Sequence, residues 1–143
     1  MKISARTRAR RLAVQGLYEW QVSGNSEESI VSQFLQEKEM KNVDKDYFKE
    51  LLINIPQEKN ELDNYIAPHI SRNLEEIDPV ERAVLRVGAY ELAHRLDIPY
   101  RVVINEAVEL AKMFGADQGH KFVNGIMDKM AAQLRAVEVK AAR

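Results

Sequence analysis

Asp78-Pro79-Val80-Glu81 opens the most plainly marked helix of the chain, and the run behind it, Arg82-Ala83-Val84-Leu85-Arg86-Val87-Gly88-Ala89-Tyr90-Glu91-Leu92, decides the fold class. An aspartate N-cap, a proline at the first helical position, where its missing N–H costs nothing, and a glutamate placed for a capping box stand in register. Val80, Val84, Val87 and Leu92 then recur at helical spacing, to about Arg95.

Outward from this helix the same period repeats, and no stretch alternates with period two between turn residues, so the chain reads as all-α with six or seven helices. The first helix runs from about Ala5 to Gln21 behind Ser4, burying Ala9, Ala13, Gly16, Leu17 and Trp20, and Ser23-Gly24-Asn25 ends it. A second follows Ser26 with Ile30, Val31, Phe34 and Leu35 inward. After Asn42 and Asp44, Tyr47, Phe48, Leu51, Leu52 and Ile55 mark a third, interrupted near Pro56, before Leu62, Tyr65 and Ile66 resume the pattern up to Pro68. Another opens near Pro99 and closes at Gly115, read as a left-handed cap. The last spans Gly119 to about Val137, and the end beyond Glu138 is expected to fray. No linker or repeat divides the 143 residues, which are expected to form a single domain.

Composition narrows the function classes. Cysteine is absent, which excludes disulfides, Cys-based metal sites and a thiol nucleophile, and suits a reducing cytoplasm. No apolar run approaches the roughly 20 residues that cross a bilayer, so no membrane partner is expected. His69, His94 and His120 lack metal-ligand spacing, and no nucleophile has an evident base, so neither a cofactor nor catalysis is expected. Gly115 to Gly119 is one residue too short for a phosphate loop, Phe122 stands where a Ser/Thr would bind the metal, and a helix precedes it instead of a strand.

The formal net charge of −1 conceals an asymmetry: residues 1–18 hold Lys2, Arg6, Arg8, Arg10 and Arg11 without an acid, leaving −6 on the remainder. At about 100° per residue these arginines point nearly all round the helix axis, so the first turn and a half is expected to project from the body. Guanidinium forks pair with phosphates and stack on bases, the chemistry of arginine-rich RNA binders; a merely solvated basic terminus is the plainer reading. A second candidate is Lys112-Met113-Phe114-Gly115-Ala116-Asp117-Gln118-Gly119-His120-Lys121-Phe122, where aromatics interleave with lysines about a turn and a helix start, a combination that holds single-stranded RNA. Its bland alternative places Phe114 and Phe122 in the core. Asn105 and Asn124, enclosed by apolar neighbours, read as buried hydrogen-bonding residues.

Leu85-Arg86-Val87-Gly88-Ala89-Tyr90-Glu91-Leu92, Asp97-Ile98-Pro99, Val103-Ile104-Asn105-Glu106-Ala107, Leu110-Ala111-Lys112 and Lys121-Phe122-Val123-Asn124-Gly125 resemble the NusB family in order and spacing. The Arg-rich start followed by Ala13-Val14-Gln15-Gly16-Leu17-Tyr18-Glu19-Trp20 resembles that family's first helix, so the likeness spans the chain, and only residues 23–70 are weakly diagnostic. The resemblance implies two helical subdomains, commonly described as three-helix bundles, and a non-enzymatic role in transcription antitermination. It implies binding of single-stranded boxA-type RNA together with ribosomal protein S-ten (NusE) in a transcription elongation complex. Position by position, it makes Lys2, Arg6, Arg8, Arg10, Phe114, Gln118, Lys121 and Phe122 RNA-facing, and Tyr18, Glu75 and Glu81 partner-facing. One departure is visible: family members often carry a serine, frequently after an acid, where this chain has Gln118-Gly119, and Asp117 is the alternative cap for the last helix. The competing readings are a helical accessory domain of a ribosomal-RNA-modifying enzyme, disfavoured because the chain ends at Arg143 with no Gly-rich cofactor loop, and a protein-interaction bundle without RNA binding.

Overall fold

The computed structural model describes residues 3–115 and 118–142, which hold eight α-helices, two short 3-10 turns and no strand. They divide into two compact units, one ending at Glu58 and the other starting at Lys59.

The first unit is a three-helix bundle of α1 (Ala5–Ser23), α2 (Glu27–Glu37) and α3 (Lys45–Gln57). Each helix begins where a short polar side chain can satisfy the exposed N–H groups. Ser4 accepts from Thr7 N at 3.0 Å, Ser26 from Ser29 N at 3.2 Å and Asp44 from Tyr47 N at 3.0 Å. Gly24 ends α1 at φ +76°, the left-handed conformation that costs a residue without Cβ least. α1 packs on both α2 and α3 through Ala9, Ala13, Val14 and Leu17, and Phe34 stacks on Phe48 with ring centroids 5.9 Å apart. Gly16 makes the close approach possible, because a Cβ there would fall 2.8 Å from Leu52 Cδ2. Trp20, expected inside, is only half-buried.

The second unit is built round α5 (Pro79–His94), whose residues Arg82 to Leu92 are buried without interruption. α4 (Lys59–Ile66), α6 (Tyr100–Phe114) and α7 (Gly119–Leu134) each pack against it, and α8 (Ala136–Ala141) follows α7. Asp78 caps α5 as expected, accepting from Val80 N at 2.9 Å and Glu81 N at 3.3 Å. Gly88 lets α7 approach, since any Cβ would run into the Met127 side chain. The short stretch after α4 folds as 3-10 turns at Ala67–His69 and Leu74–Glu76, starting at the proline that stops α4.

A helix that winds through the middle of a bundle must settle its polar side chains internally; Arg86 and, apart from its unpartnered Nε, Arg82 do so from α5, and Arg135 serves the same helix from the end of α7. Arg86, 1% exposed, grips Asp63 with two parallel bonds of 2.9 Å, and Lys59 reaches the same carboxylate at 3.3 Å. Arg82 donates from Nη1 to Glu75 O at 3.0 Å. Arg135 closes the far end of α5. It donates to Leu92 O at 2.7 Å, Arg95 O at 2.9 Å, Ile98 O at 3.0 Å and Glu91 O at 3.1 Å, and Glu138 accepts from it at 2.7 Å. A fixed cation on the orphan carbonyls of a helix C-terminus satisfies both their lone pairs and the helix dipole.

Several expectations need correction. Asn105 and Asn124 are exposed, not buried, because the apolar positions beside them already complete the inward faces of α6 and α7. Gly115 adopts an extended φ of −95° with ψ 178°, not a left-handed cap; α6 ends with Gly115 N donating to Ala111 O at 2.8 Å. The final helix breaks at Arg135, which turns back onto α5, and residues 136–141 are helical, with Glu138 accepting from Tyr100 N at 2.9 Å. That break, with the one at Glu58, explains eight helices where the sequence pattern showed six or seven.

Candidate nucleic-acid interface

The first turns of α1 carry the densest positive charge in the chain. Ala9 and Ala13, one turn apart and fully buried, draw this part of α1 down onto α3. Asp44 N bonds to Ala5 O at 3.1 Å and ties the loop before α3 to the same end. The arginines are therefore held along the bundle, and the expectation of a free projecting arm is corrected. Tyr47 supplies the reason: its ring lies under Arg6 Cζ, 4.5 Å from the centroid, and 5.6 Å from Arg10 Cζ. Arg10 is only 3% exposed, so it backs the surface through Tyr47 and does not present its guanidinium to solvent. Arg6, Arg8 and Arg11 are half-buried, and Arg8 Nε is buried with no hydrogen-bond partner among the described residues. Lys2 lies outside the described residues.

The second candidate surface belongs to the second unit. Phe114, at the end of α6, is half-buried, as is Phe122 in the first turn of α7; both reach the core and keep an accessible edge. Gln118 and Lys121 are exposed, and the Gln118 side chain makes no capping bond to α7, so the N–H groups of that helix start have no side-chain acceptor from the N-cap residue. Asp117, the other cap considered, lies outside the described residues. Lys121, Asn124 and Gly125 fall at i, i+3 and i+4 and form one exposed face, with nothing within 4 Å of where a Gly125 Cβ would stand. The exposure of Asn124 was missed in the sequence because its neighbours are apolar; counting helical phase from buried Val123 would have revealed it.

Of the partner-facing residues, Tyr18 is 42% exposed on α1. Glu75 is exposed on the second unit, its carboxylate 3.6 Å from both Arg82 Nη1 and Arg86 Nη2. Glu81 does not stand free: its Oε1 lies where a Gly119 Cβ would come within 2.9 Å. Burial there pushes its carboxyl above the usual range, the neighbouring Asp78 adds to the rise, and Arg72 opposes it. The glycine at 119 thus leaves room for the Glu81 carboxylate against the start of α7. The remaining histidines make ordinary contacts: His69 shares a 3.1 Å bond with Gln133 and His94 one of 2.5 Å with Glu61. No helix among the described residues is long and apolar enough to cross a membrane.

These features define an all-α, two-unit helical-bundle protein whose most concentrated charge is a basic helix face. Comparison with known proteins specifies the class. The description of the NusB family matches residues 7–132. Transcription antitermination protein NusB of Shewanella halifaxensis is 53% identical over 135 residues, covering 94% of this chain and all of its own length. The protein of that name from Shewanella oneidensis is 51% identical over 133 residues, 93% of this chain and 99% of its own. The solved structure of T. maritima NusB superposes with a TM-score of 0.81 at 31% identity, covering 93% of this chain and 94% of that one. The chain belongs to the NusB family.

Proposed function

We propose that this protein is a non-enzymatic transcription antitermination factor that binds single-stranded boxA-type RNA together with ribosomal protein S-ten (NusE), and joins the transcription elongation complex on ribosomal RNA operons in the bacterial cytoplasm. The observation that carries the reading is the basic start of α1, with Arg6 half-buried over the Tyr47 ring and one N–H of half-buried Arg8 unpartnered in the fold. Relatives over half identical that are named transcription antitermination protein NusB support it.

Arg6, Arg8 and Lys2 are assigned to the phosphates, with Arg10 holding Tyr47 and Arg6 in place from behind. Lys121, Gln118 and the first-turn amides of α7 supply further polar contacts, and the edges of Phe114 and Phe122 offer stacking surfaces to unpaired bases. Tyr18, Glu75 and Glu81 are assigned to the ribosomal partner, the two glutamates offering negative charge that a basic partner surface would complement. The test is an anisotropy titration of single-stranded boxA-type RNA with and without ribosomal protein S-ten. Tighter binding with the partner than without it is expected; equal binding by the double variant Arg6→Ala/Arg8→Ala would remove the basic helix from the mechanism, and no RNA binding by the wild-type protein would leave a protein-interaction bundle.

A further inference from the structure

Two cavities in the first unit share Arg8 as a wall. One, about 220 Å³, is lined by Arg8, Arg11, Gln15, Glu39 and Lys41 among others; the second, about 280 Å³, by Ile3, Ala5, Arg8 and Asn42. Each is several times the ~30 Å³ that a water molecule occupies in the liquid. Arg8 and Arg11, at i and i+3, lie on the same side of α1, and Lys41 comes from the loop facing it. That loop is shaped, not slack. Asn42 holds a left-handed φ of 64°, Val43 N donates to Met40 O at 3.2 Å, and Asp44 N anchors it to Ala5 O. Glu39, the carboxylate of the wall, accepts from Lys41 N at 2.8 Å and so braces the turn from within.

The fold gives Arg8 Nε no acceptor although the atom is buried. An unmade hydrogen bond from a charged group is costly, and such an orphan beside an open cavity marks a place where an anionic oxygen would complete the set. Three cations from two segments around one cavity have the chemistry of a phosphate seat, with forked donors from α1 and a point charge from the loop.

We infer that the cleft between α1 and the Glu39–Val43 loop seats one backbone phosphate of the RNA strand, with Arg8, Arg11 and Lys41 as its donors and Glu39 as a charge that moderates its grip. The inference rests on the RNA-binding reading above and extends the interface to a loop outside the residues that the family likeness assigned. Glu39→Gln is the sharpest probe, because the amide oxygen keeps the bond to Lys41 N while the negative charge is removed.

The experiment is an anisotropy titration of single-stranded RNA against wild-type protein and the variants Lys41→Ala, Arg11→Ala and Glu39→Gln, repeated over a range of salt, with thermal melting of each variant. Lys41→Ala and Arg11→Ala are each expected to weaken binding about threefold to fivefold and to flatten the log–log salt slope by at most about 0.7, the share of the one phosphate they hold with Arg8, and Glu39→Gln to tighten binding about twofold. A gain of affinity cannot come from a damaged fold. If Lys41→Ala and Glu39→Gln leave affinity and slope unchanged while Arg8→Ala weakens binding, the cleft is not the phosphate seat, and the RNA reading stands without it. If wild-type protein binds no RNA, the reading underneath fails as well. A titration with pyrophosphate, followed at the Lys41 and Asn42 amides, separates the remaining case: shifts that RNA does not compete away identify a small-anion site and overturn the assignment to the strand.

Discussion

The arginines of the first unit and those of the second belong to the same residue type and serve opposite ends. In α5 and at Arg135 the guanidiniums face inward onto carbonyls and onto Asp63 or Glu138, and of their buried donors only Arg82 Nε lacks an acceptor among the described residues, on neither cavity wall named above. On α1 the guanidiniums of Arg6 and Arg10 lie against an aromatic ring, and Arg8 keeps a buried N–H with nothing to bond. The difference teaches that a count of basic residues says little about nucleic acid until the partner of each is known. Cations matched by backbone carbonyls hold a bundle together; a cation that keeps an unbonded N–H beside a cavity, as Arg8 does, retains a donor for a ligand.

The largest expected effect lies on the second unit's side of this contrast. Arg135→Ala leaves the end carbonyls of α5 and the Glu138 carboxylate without their donor, and is expected to cost about 3–5 kcal/mol, read as a collapse of the thermal or denaturant midpoint. Arg135→Lys recovers little, because one ammonium cannot replace a fork serving four carbonyls. A variant that melts like wild type would place the stability of this unit elsewhere.

On the first unit's side, Arg6→Ala/Arg8→Ala is expected to lower RNA affinity roughly tenfold or more at moderate salt while shifting stability by less than about 1 kcal/mol. Equal losses of stability in the two units would erase the distinction drawn above. Arg10→Ala should fall between them, since the side chain is buried against Tyr47: a melting shift of about 1–2 kcal/mol, with RNA affinity falling as Tyr47 and Arg6 lose their support.

Smaller effects come from the two carboxylates whose acidity the fold alters. Glu81 is held above its ordinary value, so its contribution is fully present below about pH 4.5 and declines as pH rises through the higher folded value. Glu81→Gln is therefore expected to be as stable as wild type or more so at neutral pH, by a few tenths of a kcal/mol at most for so accessible a group. Glu138 is held below its ordinary value, first by the Tyr100 amide and then by Arg135, and its contribution is present above about pH 4.5 and lost as pH falls through the lower folded value. Melting temperatures of Glu138→Gln and wild type, measured from pH 7 to pH 3, should converge at the acid end.

Much of the fold was legible in the sequence because helix ends are written in single residues. Ser4, Ser26 and Asp78 cap the helices they were expected to start, Gly24 terminates α1, and Pro68 falls where α4 has stopped. The inward faces followed from a 3.6-residue period. What escaped were polar residues whose meaning depends on long-range partners. Arg82, Arg86 and Arg135 look like surface residues in any local window, and only packing around α5 reveals carbonyls and Asp63 waiting for them. Asn105 and Asn124 misled in the other direction, since apolar sequence neighbours need not be spatial ones on a helix. The candidate site was half legible: the charge of α1 was evident, whereas Tyr47, forty residues on, could not be seen beneath it, nor could the Glu39–Val43 loop beside Arg8.

The most direct test of the central claim, that accessible cations on a rigid helical body grip an RNA strand, is the salt dependence of RNA binding by the wild-type protein. With Lys2, Arg6, Lys121 and the shared Arg8–Arg11–Lys41 seat each on one phosphate, the slope of log K against log salt is expected near −3 for a single strand, and Arg6→Ala/Arg8→Ala should bring it to about −2. A slope near zero, or one that the double variant leaves unchanged, would contradict the account.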